Sequence, residues 1–257
     1  MRHPHRRGQL ILEVILGFVI ALAISLTGVG AGSMTTPILI LFLRVPPATA
    51  VGTSLAFGAI VKIASIPTYA WRRQVNFRIL GLLLAGGIPG VLAGSFALDK
   101  MKHGPYQGVL YAMLGCLIVG TASLRLYRIF RPKDNTHLPD RSKWLPWFAL
   151  PIGAEVGFSS AGAGALGSLL LLGITKLTAA EVIGTDLCFG LGVSAVGSLI
   201  QVGAGNYDGA LLLKLVVGGV FGAFTGSMLA GRIQQQPLRV GLLLMLIVLG
   251  CQLALRS

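Results

Sequence analysis

The sequence GVGAGSMTTP at positions 28–37 places three glycines, three hydroxyl side chains and a proline inside a stretch that is otherwise apolar. Glycine and proline interrupt helices, and a helix that begins at such a break presents unpaired N–H groups and a partial positive charge. These groups bind anions, and small residues let a ligand approach the backbone. The stretch therefore predicts an anion site, with close packing of helices as the alternative. The predicted binding residues here are Gly30, Ala31, Gly32, Ser33, Thr36 and Pro37.

Three ionisable residues, Lys62, Glu155 and Asp186, lie deep inside apolar segments. A charge at the centre of a membrane helix costs about 3 kcal/mol on insertion scales, so each of these residues invites a functional interpretation. Lys62 is predicted to be the fixed counter-charge for an anionic ligand, and Asp186 and Glu155 are predicted to carry a coupling proton. The alternative is an ion pair between Lys62 and Asp186 that only holds the chain together.

The composition indicates a membrane protein. Of 257 residues, 54% are hydrophobic and 11% are charged, and the mean hydropathy is +0.80. Long apolar segments recur along the whole chain, which is typical of polytopic membrane proteins. The net charge of +13 gathers beside these segments rather than on an aromatic-rich face, so it predicts cytoplasmic loops and no nucleic-acid partner. The positive groups are Arg2, Arg6 and Arg7; Arg72, Arg73 and Arg78; and the run from Arg125 to Lys143.

The chain contains an internal duplication. Residues 30–95 align without gaps on residues 162–227, at a constant offset of 132, with 18 identities in 66 positions. This alignment predicts a first transmembrane repeat at 1–128, a basic cytoplasmic linker at 129–143 and a second repeat at 144–257. A second break follows Ser159 and Ser160. The duplicated residues predicted to bind the ligand are Gly52, Thr53, Ser54, Gly162, Ala163, Gly164, Gly184 and Thr185.

Each repeat is predicted to contain four long helices and one short helix. The long helices cover about 10–28, 47–70, 78–98 and 106–127, then 144–161, 178–203, 208–230 and 237–255. The short helices at 33–43 and 165–175 cannot cross a bilayer, which takes about 20 residues. The predicted class is an all-α polytopic membrane protein with about eight transmembrane helices, arranged as two homologous four-helix repeats, each with a broken, re-entrant short helix.

The positive segments suggest a topology. If both short helices re-enter, the N-terminus, the 71–78 loop and the 125–143 loop all lie on one side. This arrangement predicts parallel repeats with both termini in the cytoplasm. An inverted five-plus-five arrangement is the alternative.

The order of the motifs also resembles a known family. Gly30-Ala31-Gly32 leads to Pro37, and Ala48-x-x-Val51-Gly52-Thr53-Ser54-Leu55 precedes Lys62; Gly184-Thr185-Asp186-Leu187, Asn76 and Asp208 complete the pattern. Over essentially the whole chain this pattern resembles the sulfite exporter TauE/SafE family. The resemblance implies a bacterial or archaeal inner-membrane transporter, an exporter of sulfur-containing or organic anions such as sulfite or sulfonates. Repeat two departs from repeat one at Leu169, which stands where repeat one has Pro37.

The mechanism predicted for such a protein is alternating access, with the anion held near the midplane beside Lys62 and protons as a candidate coupling ion. No cofactor or metal is expected. An enzyme that acts on lipid head groups and a non-transporting accessory subunit remain alternatives, although all four histidines lie in termini or loops. The bilayer and a small anion are the expected partners, and a homo-oligomer is compatible with the small-residue helix faces.

Overall fold

The computed structural model describes residues 4–27, 30–71, 73–102, 107–130, 142–162, 166–229 and 235–255. These residues form ten α-helices and a 3₁₀ turn at Ser142–Trp144, so the predicted all-α class is confirmed. The first five helices are α1 (Pro4–Thr27), α2 (Ala31–Leu41), α3 (Pro47–Trp71), α4 (Phe77–Met101) and α5 (Gln107–Phe130). The second five are α6 (Leu145–Ser159), α7 (Leu166–Ile174), α8 (Ala179–Gly203), α9 (Gly209–Leu229) and α10 (Gln235–Ala254).

The helices fall into long and short ones. Among the described residues, α1, α4, α5, α8, α9 and α10 contain stretches long and apolar enough to cross a bilayer. By contrast, α2 has 11 residues and α7 has nine. At about 1.5 Å per residue neither reaches across a hydrocarbon core about 30 Å thick. The chain is therefore an integral, polytopic membrane protein with short helices at the two predicted positions. Helix α6, predicted as a long helix over 144–161, has only 15 residues and is also too short to cross alone, because Ser160 ends it.

Helices α1–α5 (the first half) and α6–α10 (the second half) pack through glycine contacts that occur twice, at positions related by the internal duplication. Gly90 in α4 lies against the backbone of Leu150 in α6, and Gly222 in α9 lies against the backbone of Phe18 in α1. Both partners of the second contact are related to those of the first by the offset of 132. A Cβ at either glycine would overlap a backbone oxygen, so these helices approach each other only because the residue is glycine.

Equivalent helices of the two halves run in opposite directions. Leu55 of α3 contacts Gly197 of α8, whereas Lys62 of α3 contacts Gly190. The residue numbers of α8 therefore decrease as those of α3 increase, and the two helices are antiparallel. Because α3 and α8 occupy equivalent positions in the sequence, their antiparallel packing means that the second half is inverted relative to the first. The prediction of parallel repeats is wrong, and the inverted five-plus-five alternative describes the structure.

The path of α2 explains the inversion. Ala31 at its start lies against Gly58 in the middle of α3. Beyond its end, the N–H of Val45 donates to the carbonyl of Leu39 at 3.1 Å, immediately before α3 begins. Helix α2 thus returns the chain to the end of the bundle from which α3 starts. After α1, the break and the short helix α2 bring the chain back to the end at which α1 began. The topology inferred from charge instead assigns the short helix to the opposite side.

The bundle has two ends that differ in the segments they carry. At the first, called here the terminal end, α3 begins and the N–H of Asp208, just before α9, donates to Thr53 Oγ1 at 3.1 Å. The residue numbers of contacting pairs increase together along α1 and α9, so these two helices are parallel and α1 also begins at the terminal end. At the opposite end, called the linker end, residues 73–76 precede α4 and the turn Ser142–Trp144 packs against α4. The start of α1 and the segment before α4 therefore lie at opposite ends, and the predicted placement of the N-terminus beside the 71–78 and 125–143 loops is wrong. The prediction failed because positive residues flank both ends of the bundle.

Candidate functional site

The first break leads into an uncapped helix start. Gly30 precedes α2, and no side chain caps the N–H groups of its first turn. The hydroxyls of Ser33 and Thr35 donate instead to the carbonyls of Gly30, at 2.6 Å, and Ala31, at 2.7 Å. The first ten residues of α2 are buried. The positive end of this short helix therefore lies inside the protein, as the sequence predicts for an anion site.

The second break follows α6. Ser160 takes a left-handed backbone conformation with φ of 64°, which ends the helix. The Ser159 hydroxyl donates to the Glu155 carbonyl at 3.0 Å and accepts the N–H of Ala161 at 3.1 Å. Helix α7 begins at Leu166. Gly162 is the last described residue of the break, and the predicted site residues Ala163 and Gly164 lie outside the described residues.

The two breaks meet inside the bundle. Gly32, in the first turn of α2, lies against the carbonyl oxygen and the hydroxyl of Ser160. A Cβ at Gly32 would overlap both atoms, so this approach requires glycine. The start of α2 thus faces a hydroxyl from the other half of the chain. This contact joins the two interrupted segments that the duplication predicted as partners.

Lys62 lies where the two halves cross. Its ammonium donates to the carbonyl of Gly190 at 3.1 Å and to Ser194 Oγ at 3.0 Å. Ser194 is the equivalent of Lys62 in the second half, so the local two-fold axis passes between these two side chains. Lys62 is 6% exposed and forms no salt bridge with any residue that the structure describes. The direct Lys62–Asp186 ion pair offered as an alternative is therefore not formed.

Asp186 lies at the start of α7. Its carboxylate accepts hydrogen bonds from the backbone N–H and the hydroxyl of Ser168, and Oδ1 lies against Gly167. The charge of Lys62 acts on this carboxylate from beyond hydrogen-bonding range. A carboxylate at a helix N-terminus is stabilised by the helix dipole. Asp186 therefore occupies, in the second half, the kind of place that an anionic ligand would take.

Glu155 lies one turn before the second break and is 9% exposed. Its Oε2 lies against Gly162, and Oε1 has no hydrogen-bond partner among the described residues. Arg125, in the second half of α5, interacts electrostatically with both Glu155 and Asp186. The sequence placed Arg125 only in a basic flanking run. Its position within the apolar α5 could have indicated a role inside the protein.

Two predicted binding residues carry hydroxyls without partners. Ser54 Oγ and Thr36 Oγ1 are fully buried and have no hydrogen-bond partner among the described residues. Pro37 follows in α2 and lacks an N–H, which leaves the carbonyl of Ser33 without its usual intrahelical donor. Buried polar atoms without partners therefore lie near the starts of both short helices, because Asp186 Oδ1 in the second half also lacks a hydrogen-bond partner among the described residues.

The remaining predicted residues form contacts between the halves at opposite ends of the bundle. Thr53 Oγ1 accepts the N–H of Asp208 at the terminal end, and Thr185 Oγ1 accepts the N–H of Asn76 at 3.0 Å at the linker end. The preceding Gly52 and Gly184 lie against backbone carbonyls of the same loops. These four residues are not brought together with Lys62, and their described contacts are with the protein itself.

Comparison with known proteins finds relatives in bacteria. The chain is 25% identical over 251 residues to "Probable membrane transporter protein YjnA" of Bacillus subtilis (strain 168), covering 93% of this chain and 98% of the relative. It is 26% identical over 234 residues to a "Probable membrane transporter protein" of Xylella fastidiosa (strain Temecula1), covering 88% and 86%. No solved structure matches the chain. The family model described as sulfite exporter TauE/SafE matches residues 13–253, and the chain therefore belongs to this family of membrane transporters.

Proposed function

We propose that the protein is a secondary transporter that exports small sulfur-containing or organic anions, such as sulfite or sulfonates, by alternating access. The family supplies the general activity, and the matched relatives are named as probable membrane transporters. The choice of an anion comes from the chain itself, namely from a buried ammonium and an uncapped helix start.

The observation that carries this proposal is the environment of Lys62. A buried ammonium normally pairs with a carboxylate, because an unpaired charge in a low-dielectric interior is costly. The hydrogen-bond partners of Lys62 are a carbonyl and a hydroxyl, both neutral. A bound anion near the two-fold axis would supply a directly bonded negative charge, which Asp186, beyond hydrogen-bonding range of Lys62, does not. The first turn of α2 would add N–H donors to the same ligand.

Asp186 and Glu155 are proposed to carry the coupling protons. Both carboxylates lie inside the bundle beside the second break, and both interact with the charge of Arg125. The inverted halves fit alternating access, because each half can take the conformation of the other and so open the opposite end. Exchange of a proton at either carboxylate would change the charge that balances the anion and Lys62.

The linker end is proposed to face the cytoplasm of a bacterial or archaeal inner membrane. Near this end lie Arg73, Arg78, Arg128, Lys143 and Lys176. The positive residues near the terminal end include Arg6, Arg7, Arg44, Lys100 and Lys102. The sequence run from Arg125 to Lys143, which connects α5 to α6, adds further positive charge to the linker end, and by the positive-inside rule it supports a cytoplasmic linker end with both termini outside. This orientation replaces the cytoplasmic termini expected from the sequence.

Transport into proteoliposomes tests the proposal. We expect the purified protein to move radiolabelled sulfite, and we expect Lys62→Met to reduce transport about tenfold or more, because hydrogen bonds to charged groups contribute about 1.5–3 kcal/mol. Lys62→Arg should retain part of the activity. Lys100→Met is the matched control, because Lys100 is exposed in the last turn of α4. Equal transport by Lys62→Met and the parent protein would remove Lys62 from the site.

The same liposomes address the other classes of function. An enzyme of lipid head groups would change the lipid composition without moving sulfite, and an accessory subunit would do neither. Either result for the unmodified protein would contradict the proposed transport.

A further inference from the structure

The two short helices pack against their neighbouring long helices in the same register. In the first half, Ala31 of α2 faces Gly58 of α3; in the second half, Gly167 of α7 faces Asp186 of α8. In each half the short helix runs antiparallel to the long helix. Subtracting the offset of 132 from Gly167 and Asp186 gives positions 35 and 54, which lie in the same register as Ala31 and Gly58. Ser54 therefore faces α2 at the level of Thr35 and Thr36, as Asp186 faces Gly167 and Ser168.

The second half fills this position with its own carboxylate. Asp186 reaches from α8 to the start of α7 and accepts two hydrogen bonds from Ser168. The negative charge belongs to the protein and is held at the positive end of a short helix. This half therefore shows what chemistry the position accepts, namely an oxyanion bound by a hydroxyl and an N–H group.

The first half leaves the same position without an acceptor. Ser54 stands in place of Asp186 and Thr36 in place of Ser168. Both hydroxyls are fully buried, and neither has a hydrogen-bond partner among the described residues. A buried hydroxyl without a partner is costly, and such groups in native proteins generally mark a bound molecule or a functional position. The neighbouring hydroxyls of Ser33 and Thr35 are already satisfied by backbone carbonyls.

We propose that Ser54 and Thr36 form an oxyanion subsite in the first half, at the place where the second half holds the Asp186 carboxylate. The inference rests on the proposed function and adds the residues that hold the anion on the terminal side of the midplane. The ligand is an oxyanion of the sulfite, sulfonate or carboxylate type, bound through hydroxyl donors. The two halves thus hold one exchangeable and one built-in oxyanion on either side of Lys62.

Isosteric variants test the subsite through opposite effects on stability and binding. Thr36→Val and Ser54→Ala remove hydroxyls that have no partner, so we expect melting temperatures equal to or above that of the unmodified protein. Each change should weaken sulfite binding about five- to tenfold, measured as the thermal shift across a sulfite titration at constant ionic strength. Thr35→Val is the matched control, because the Thr35 hydroxyl already donates to Ala31; we expect its sulfite affinity to be unchanged.

Ser54→Asp provides the complementary variant. It copies the second half, so its carboxylate should occupy the subsite and abolish the sulfite-induced shift while the protein still melts cooperatively. Sulfite affinity equal to the parent in Thr36→Val and Ser54→Ala would overturn the subsite, even if the parent transports sulfite normally. A shift produced equally by sodium chloride but not by choline chloride, and lost in Thr36→Val, would also overturn it, since the hydroxyls would then bind sodium. An unmodified protein that neither binds nor transports sulfite or a sulfonate would instead overturn the proposed function.

Discussion

Adjacent residues in the two halves have diverged to different degrees. Thr53 and Thr185 are identical, and each accepts a backbone N–H from the loop before a long helix of the other half. The next residue is Ser54 in the first half and Asp186 in the second. One position therefore repeats a contact that joins the halves, whereas its neighbour changes from a neutral hydroxyl to a charged carboxylate.

Other positions near the breaks also carry a charged residue in one half and an uncharged residue in the other. Lys62 corresponds to Ser194, and Glu155 corresponds at the same offset to Ala23 of α1. The shared contacts suit a protein whose halves exchange conformations, because either end can close through the same threonine and glycine contacts. The differing residues make the path unequal on its two sides. In the proposed mechanism, the inverted duplication would allow either end to close through equivalent contacts, while the substitutions at a few inner positions give the two halves different charges.

The largest expected effect comes from separating the two breaks. Gly32→Ala would place a Cβ on the backbone of Ser160, so we expect about 1–3 kcal/mol of destabilisation and loss of most transport. Gly120→Ala is the control, because Gly120 lies in α5 with open space around it and alanine favours a helix by about 1 kcal/mol. Thermal melting and sulfite uptake check both variants. Normal uptake by Gly32→Ala would show that close contact of the breaks is unnecessary.

An intermediate effect is expected when the charge difference between the halves is removed. Asp186→Asn keeps the shape of the side chain and an acceptor for Ser168 but loses the negative charge. If Asp186 carries the coupling proton, uptake should fall about tenfold, on the scale of one charge-assisted hydrogen bond, and should no longer respond to a pH gradient. The measurement is sulfite uptake with and without that gradient.

A matched aspartate provides the control for this change. Asp208 caps the start of α9 through the N–H of Leu211, at 3.0 Å, and the equivalent Asn76 caps α4 in the same way. Asp208→Asn therefore copies a residue that already serves in the first half, and the gradient dependence should persist. A gradient response retained by Asp186→Asn would assign the coupling to Glu155 or to another group.

Much of the architecture follows from the sequence because it depends on local composition. Apolar length, breaks and internal alignment predicted every helix, including the two short ones. Lys62 was predicted as a buried charge because an isolated lysine inside an apolar helix has few alternatives. The duplication marked the two breaks as counterparts on either side of an anion, whereas their direct contact at Gly32 and Ser160 was not predicted.

The relative orientation of the halves could not be read reliably from the sequence. Whether a short helix returns to its own side or completes a pass depends on its packing against α3, and the positive residues fit either topology in part. The partners of Thr53 and Thr185 were missed for a related reason. Their contacts join opposite ends of antiparallel helices, whereas the aligned sequences suggested a shared site.

The smallest effects are expected at this pair of threonines. Thr53→Val and Thr185→Val each remove one hydrogen bond between the halves, which should lower the free energy of unfolding by about 1 kcal/mol in both variants. The terminal end has a further connection, because Lys102 pairs with Asp99 at 2.5 Å and donates to Asn206 Oδ1 at 2.9 Å. We therefore expect Thr185→Val, at the linker end, to increase opening more than Thr53→Val. Labelling of a cysteine placed beside each threonine with an impermeant maleimide measures this opening. Equal labelling at both ends would mean that the Lys102 contacts do not bias the protein toward closure of the terminal end.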